Sequence, residues 1–149
     1  MDARVLVHRL HPDAVLPHRA HPGDAGFDLC SVEARVVDPG GRAALRTGLA
    51  LALPAGFVGL IHPRSGLALR HGVTVANAPG TIDAGYRGEI QVILINLGAE
   101  PWECLPGDRI AQLLITTVSS VELIEVTELP GSQRGQGGFG STGIRSSIH

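Results

Sequence analysis

The sequence predicts an all-β fold, a jelly-roll-like barrel, on two observations. Apolar residues recur in short segments with the spacing of strands rather than of helices. Twenty glycines and ten prolines among 149 residues supply the many tight turns that such a fold needs. No stretch offers the roughly dozen residues of a helix that would connect parallel strands, so the strands are expected to be antiparallel.

The predicted strands are short apolar or alternating segments bounded by turn residues. They are Val5 to Leu10, Val32 to Val37, Ala43 to Leu53, Phe57 to Ile61, Val73 to Ala76, Glu89 to Leu97, Arg109 to Val118 and Val121 to Val126. One short helix is predicted over Ser65 to His71, with Ser65 as its N-cap and Gly72 at its end.

The segment 73–97 is predicted to be a long β-hairpin with a pocket at its bend, because Asn77-Ala78-Pro79-Gly80 has turn chemistry. Its bend, GTIDAGYRGEI (80–90), places one carboxylate, Asp83, in a Gly-bounded turn ahead of Tyr86. A single acid held there is suited to orienting a water molecule. From the residues alone, an Asp that merely caps a surface turn is the alternative.

Composition excludes several functions. A net charge of −2 with 17% charged residues gives no basic surface, so a nucleic acid polymer is not an expected partner.

The start, MDARVLVHRLHPD, has neither a basic nor a long apolar region, and no apolar run of about 18 residues suggests a membrane span, so a cytoplasmic location is expected. Cys30 and Cys104 form no CxxC motif and are expected to be buried apolar groups.

Arginine is the only strong cation in the chain, because all 12 basic residues are Arg. The absence of Lys excludes a Walker-type phosphate loop and Schiff-base chemistry. Arg64 and Ser65 lie where a strand is predicted to give way to the helix, so a guanidinium, a hydroxyl and free backbone amides could converge on one anion. A capping Ser beside an Arg without a ligand is the alternative.

The chain is predicted to have one catalytic domain, 1–129, followed by an arm, 130–149, because Gly, Ser, Gln and Arg then replace apolar residues. The arm contains RGQGGFGSTG (134–143), which has no strand before it and is not a dinucleotide-binding motif. Arg134 and Phe139 could clamp a nucleotide, the first on phosphate and the second on a base.

Two other chemistries are disfavoured. The HxxH spacings at His8/His11 and His18/His21 suggest a metal site, but a strand would put the paired rings on opposite faces and the neighbouring prolines break any helix. No GxSxG motif is present, which disfavours a covalent intermediate on serine.

Five fragments together closely resemble the motifs of the trimeric dUTP pyrophosphatases (dUTPases), in the same order and over nearly the whole chain. They are GDAGFDL (23–29), PRSGLA (63–68), GTIDAGYRGEI (80–90), GDRIAQL (107–113) and RGQGGFGSTG (134–143). One departure is Phe27, where many relatives carry Tyr; the acids on either side of it are intact.

The resemblance implies hydrolysis of dUTP to dUMP and pyrophosphate with Mg²⁺, which limits uracil incorporation into DNA and supplies dUMP. It also implies a homotrimer of jelly rolls, with the C-terminal arm exchanged between subunits and three active sites at their boundaries. Asp83 would activate the water that attacks the α-phosphorus. Asp28 would contact the metal through water.

The resemblance further implies the residues that hold the nucleotide. Phosphate oxygens would be held by Arg64, Ser65, Gly66 and Gln112, with Arg134 reaching the γ-phosphate from another subunit. Uracil would be bound by Asn77 and by groups near Thr81, Ile82 and Gln91, with Phe139 stacked over the base. Tyr86 would lie against the deoxyribose and exclude a 2′-hydroxyl.

Two alternatives stay open. A dCTP deaminase has a similar fold and a TID-like hairpin, although PRSGLA and the intact arm motif favour the pyrophosphatase. A non-catalytic nucleotide-binding module on the same scaffold is the other alternative. Release of ammonia from dCTP would indicate the first, and binding without pyrophosphate release would indicate the second.

Overall fold

The computed structural model describes residues 2–145 and contains ten strands and a short helix. The strands are β1 (Leu6–Arg9), β2 (Phe27–Cys30), β3 (Arg35–Val37), β4 (Arg42–Ala52), β5 (Phe57–His62), β6 (Val73–Val75), β7 (Gly80–Ile82), β8 (Glu89–Asn96), β9 (Trp102–Cys104) and β10 (Arg109–Thr117). The helix is α1 (Ser65–His71). The final residues of the predicted arm, 146–149, lie outside the described residues.

Two four-stranded antiparallel sheets enclose the core, with strand orders β1-β4-β8-β6 and β2-β10-β5-β7. A small third sheet pairs β3 with β9. Leu45, Val92 and Ile110, which come from both large sheets, are fully buried in the apolar cluster between them. The predicted all-β, jelly-roll-like fold is therefore confirmed.

The predicted hairpin over 73–97 is confirmed at its base, but its bend leaves the sheet. β6 pairs with the end of β8, with Val73 opposite Asn96. β7, a strand that the sequence analysis missed, pairs instead with β5 in the other sheet, with Gly80 opposite Ile61. The chain therefore crosses from one sheet to the other between β6 and β7.

The sequence analysis also missed β2 and β9, which have only four and three residues. The predicted strand Val121 to Val126 is wrong: this segment has no regular secondary structure and pairs with no strand among residues 2–145. Its apolar side chains are exposed, and Leu123 is 95% exposed. A strand needs a hydrogen-bonding partner, and the described residues 2–145 offer this segment none.

Helix α1 has the predicted bounds, but its N-cap is Arg64 rather than Ser65, which is the first helical residue. The chain enters the helix one residue earlier than expected, and no side chain caps it. Gly72 ends the helix in the left-handed conformation (φ 69°), as its position after the last periodic residue predicts. Among residues 2–145, no helix is long and apolar enough to cross a membrane.

The two cysteines are free and buried, as predicted. Burial raises the pKa of the Cys104 thiol to about 11. Burial, and then the nearby charge of Asp28, also raises the pKa of Cys30. Both thiols are therefore protonated near neutral pH and act as small core groups.

A β-bulge interrupts β4 where it passes β8. The register of the two strands shifts between Arg46 and Ala50. Gly48, inside the bulge, has a φ of +69°, and a Cβ atom added there would lie 2.9 Å from the His11 Cβ and 3.1 Å from the Ala14 Cβ. Only glycine fits this conformation in this space.

Replacing Gly48 by alanine is expected to destabilise the protein by about 2 to 4 kcal/mol, because it combines a left-handed backbone with overpacking. Gly40→Ala is the matched control: Gly40 has a φ of +77° but open space around the added Cβ, so its cost should be only about 1 to 2 kcal/mol. Urea unfolding of both variants would measure the difference. Equal losses would contradict the crowding at the bulge.

Candidate active site

A pocket of about 260 Å³ lies where the chain crosses between the sheets. Strands β4, β5, β7 and β8 and the turn after β7 line it. Its lining residues are Ala44, Ile61, Asn77, Gly80, Thr81, Ile82, Asp83, Tyr86, Glu89, Ile90, Gln91 and Ile93. The predicted pocket at the bend is present, and it brings together six of the predicted site residues, Asn77, Thr81, Ile82, Asp83, Tyr86 and Gln91.

Asp83 and Tyr86 belong to one tight turn at the pocket. The backbone amide of Tyr86 donates a hydrogen bond to the Asp83 carbonyl oxygen at 3.1 Å. Ile82, just before the turn, is buried, whereas Asp83 is exposed. The buried strand end thus anchors an acid that remains accessible to water and to a ligand.

The Tyr86 ring is held against the following turn. Its hydroxyl donates to the Glu89 carbonyl oxygen at 3.0 Å. The ring lies so close to Gly88 that a Cβ added there would come 2.7 Å from the Tyr86 Cζ. Gly88 therefore gives the ring room to lie along the backbone, while 47% of Tyr86 stays exposed.

A second group of predicted residues lies around Asp28. Arg64 Nε is 3.8 Å from Asp28 Oδ1, and Arg109 Nη1 is 3.6 Å from Asp28 Oδ2. Gln112 lies opposite Asp28 in the β2–β10 pairing. The sequence analysis missed Arg109, although the GDRIAQL fragment places it only three positions before Gln112.

The strand register and close packing fix this second group. Gln112 Nε2 donates to the Pro63 carbonyl oxygen at 2.9 Å, which ties β10 to the residue before Arg64. Arg64 in turn donates from Nη1 to the Arg109 carbonyl oxygen at 3.2 Å. A Cβ added at Gly26 would collide with the Gln112 carboxamide oxygen, so the Gln112 side chain packs directly against the Gly26 backbone. Ser65 and Gly66 follow in the first turn of α1.

The predicted site residues form separate groups in one chain. Among residues 2–145, the pocket lining includes none of the predicted phosphate or metal residues, which are Asp28, Arg64, Ser65, Gly66 and Gln112. It also includes no residue of the arm. Arg134 Nε donates within its own loop, to the Gly137 carbonyl oxygen at 2.6 Å, and Phe139 is fully exposed.

The sequence analysis also missed Glu89. This residue begins β8 and lines the pocket, and its carboxylate turns toward the bulge of β4. Its position in the fragment GTIDAGYRGEI is a signal of proximity to Tyr86. Nothing local in the sequence indicates the contact with β4, because that contact joins residues 41 positions apart.

A jelly roll with a small mixed polar and apolar pocket, and with an arginine-rich group at a separate strand end, defines a protein that binds small anionic molecules. The chain belongs to the dUTPase family, whose sequence profile matches residues 13–143.

Curated relatives that match nearly the whole of this chain support the family assignment. The deoxyuridine 5′-triphosphate nucleotidohydrolase of Thermobifida fusca (strain YX) is 60% identical over 141 residues, which cover 94% of this chain and 79% of the relative. The protein of the same name from Mycobacterium leprae (strain Br4923) is 56% identical over 154 aligned residues, which cover 99% of this chain and all of the relative.

Solved structures share the fold. The dUTPase of Staphylococcus bacteriophage 80alpha with dUpNHpp has a TM-score of 0.85 and 32% identity, and the match covers 95% of this chain and 99% of that one. A mutant dUTPase from phage phi11 of S. aureus, described with a coordinated structural Mg(II) ion, has a TM-score of 0.78 and 28% identity, with 84% and 97% covered.

Proposed function

We propose that this chain hydrolyses dUTP to dUMP and pyrophosphate. The observation that carries the proposal is the pocket at the crossing between the sheets, which gathers Asn77, Asp83 and Tyr86 with the backbone of β7 in a chain of the dUTPase family. The nucleotide's base and sugar would occupy this pocket. That the reaction takes place in the cytoplasm stays a prediction.

Base selection follows from the chemistry of the pocket walls. Asn77 offers both a donor and an acceptor, and the backbone near Thr81 and Ile82 offers more. Uracil presents two carbonyl oxygens and one N–H, whereas cytosine places an amino group where uracil has an acceptor. The tight bend that carries the base-binding residues would also clash with the 5-methyl group of thymine. Gln91 would close the pocket on the β8 side.

Asp83 would act as the general base. It lies in the pocket, next to the turn that holds Tyr86, and it is exposed, so it can accept a proton from a water molecule. Phosphoryl transfer asks the protein mainly to position the reactants and to neutralise charge. One oriented carboxylate, with cations on the phosphates, is sufficient for that task.

The group around Asp28 fits an indirect role in binding Mg²⁺. The Asp28 carboxylate is 15% exposed, and the guanidinium nitrogens at 3.6 and 3.8 Å are farther than direct hydrogen bonds. Mg²⁺ keeps several waters and is often held by one or two carboxylates together with substrate phosphates. Asp28 would therefore hold it through water, and the bound ion would neutralise phosphate charge. Arg64, Ser65, Gly66 and Gln112 would bind phosphate oxygens.

The active site would be assembled from several copies of the chain. In one chain the pocket, the Asp28 group and the arm with Arg134 are separate, yet the reaction requires them around one triphosphate. The apolar residues of the segment 121–126 are exposed in a single chain, and contact with a neighbouring subunit would bury them. Both observations support the homotrimer that the family resemblance implies, with the arm exchanged so that Arg134 and Phe139 close a neighbour's site.

Pyrophosphate release from dUTP is the direct test. With Mg²⁺ present, dUTP should be hydrolysed at least about a hundredfold faster than dTTP, dCTP or UTP, because each analogue leaves a buried polar group unpaired or clashes with the pocket. A coupled pyrophosphate assay on the four nucleotides measures this. Ammonia release from dCTP, or binding of dUTP without pyrophosphate release, would contradict the proposal.

Asp83→Asn should fold and bind dUTP but lose about 10² to 10⁴ in kcat, because the amide cannot accept the proton. Asp38→Asn is the matched control, since Asp38 is an exposed turn residue that does not line the pocket. Stopped-flow turnover and equilibrium binding separate the two effects. Near-normal turnover in Asp83→Asn would remove Asp83 from its role.

Mixed trimers test whether sites are shared. Asp83→Asn and Arg64→Ala chains should each be nearly inactive alone, while their co-expression should restore about a quarter of the sites if each site takes its pocket and its phosphate-binding group from different copies. Activity of the mixture, measured after native mass spectrometry has shown exchange, decides the point. No recovery in exchanged trimers would mean that both groups act within one chain.

A further inference from the structure

The bulge of β4 is connected to the pocket through Glu89. The Glu89 carboxylate accepts a hydrogen bond from the Gly48 amide at Oε2 (3.0 Å) and another from Arg46 Nε at Oε1 (3.0 Å). The Glu89 side chain is 16% exposed, whereas that of Arg46 is 47% exposed. Both oxygens of the Glu89 carboxylate thus accept hydrogen bonds from the bulge of β4.

The neighbouring residue is tied to the same bulge. Thr47 Oγ1 donates to the Ile90 carbonyl oxygen at 2.6 Å and accepts from the Leu49 amide at 3.3 Å, and Thr47 is fully buried. The Glu89–Ile90 backbone is therefore fastened to β4 by a side chain from each strand. Hydrogen bonds to charged groups are stronger than those between neutral groups, so the carboxylate contributes much of this attachment.

The same stretch of backbone, at Glu89, accepts a hydrogen bond from the Tyr86 hydroxyl. The Glu89 carbonyl oxygen accepts that bond at 3.0 Å, and Tyr86 also donates its amide to Asp83 at the other end of the turn. Any shift of the Glu89 backbone would move the phenol and loosen the turn. The family resemblance implies that Tyr86 lies against the deoxyribose, so its placement would decide whether a 2′-hydroxyl is excluded.

We propose that Glu89 is a positioning residue, which through its bonds to Gly48 and Arg46 holds the Tyr86 ring in place and so sets the discrimination between dUTP and UTP. The second half of this proposal rests on the proposed function. Because its carboxylate is bonded to Arg46 and Gly48, Glu89 is proposed to act through its own carbonyl group and Tyr86. Because one hydrogen bond to a charged group typically contributes a factor of about ten or more, loss of this anchoring is expected to change the discrimination about tenfold.

Tyr86 is the single tyrosine of the chain, so its ring can be observed without any substrate. With ¹³C-labelled tyrosine, Glu89→Gln is expected to shift or broaden the ring signal, because the amide presents a donor to a site that holds two donors. Glu33→Gln is the matched control: Glu33 accepts from the Arg46 amide at 3.4 Å but contacts neither Gly48 nor Tyr86. An unchanged ring signal in Glu89→Gln would overturn the proposal.

Arg46→Met provides a second variant, because its half-exposed guanidinium can be removed without opening the core. It should move the Tyr86 signal in the same direction as Glu89→Gln but less. If Glu89→Gln fails to fold, Arg46→Met decides alone. An unchanged Tyr86 signal in Arg46→Met would then overturn the proposal.

Nucleotide selectivity tests the second half. Glu89→Gln should lower the ratio of kcat/KM for dUTP over UTP about tenfold, mainly through KM, while Glu33→Gln leaves the ratio unchanged. In the Tyr86→Phe background the Glu89→Gln effect on the ratio should largely vanish, because both changes act through one hydroxyl. If the effects of Glu89→Gln and Tyr86→Phe on the ratio are additive, Glu89 does not act through the Tyr86 hydroxyl, and the proposal is overturned. A displaced ring with unchanged selectivity would support the positioning by Glu89 and would instead reject the sugar-facing role of Tyr86.

Discussion

The passage of one segment between two sheets is the constraint on which the rest of the structure depends. β6 and β8 pair at one end of the segment, while β7 pairs with β5 in the opposite sheet. Because the backbone is hydrogen-bonded in one sheet before the crossing and in the other sheet after it, the crossing costs few hydrogen bonds. The pocket lies beside this crossing. The acid and the aromatic ring of the pocket follow directly from the turn that returns the chain to β8.

The β4 bulge shows how an irregularity in one strand supports a site on another. The register of β4 and β8 shifts between Arg46 and Ala50. Within this stretch the Gly48 amide donates a hydrogen bond to the Glu89 carboxylate, and the Thr47 hydroxyl donates one to the Ile90 carbonyl oxygen. The left-handed backbone and tight surroundings of Gly48 make this arrangement specific to glycine. Structural and functional demands thus meet in the same few residues of β4 and β8.

Charged side chains gather around Asp28, apart from the pocket lining. The two guanidinium groups beside it come from Arg64, at the start of α1, and from Arg109, at the start of β10. The Asp28 carboxylate provides the counter-charge of both cations, at 3.6 and 3.8 Å. A triphosphate would offer them stronger partners. A shared site would then form as subunits and substrate come together, which links assembly to the proposed catalysis.

The sequence by itself determined the fold class, the bounds of α1 and the turn that carries Asp83 and Tyr86. These features depend on alternation, capping residues and turn chemistry within a few positions, so local physics specifies them. Only the tertiary structure decided that β7 pairs with β5, that 121–126 is not a strand within its own chain, that Arg109 joins Asp28, and that Glu89 reaches Gly48. Each of these is a choice of partner between distant segments, and residue patterns along one strand do not specify which strand will lie beside it.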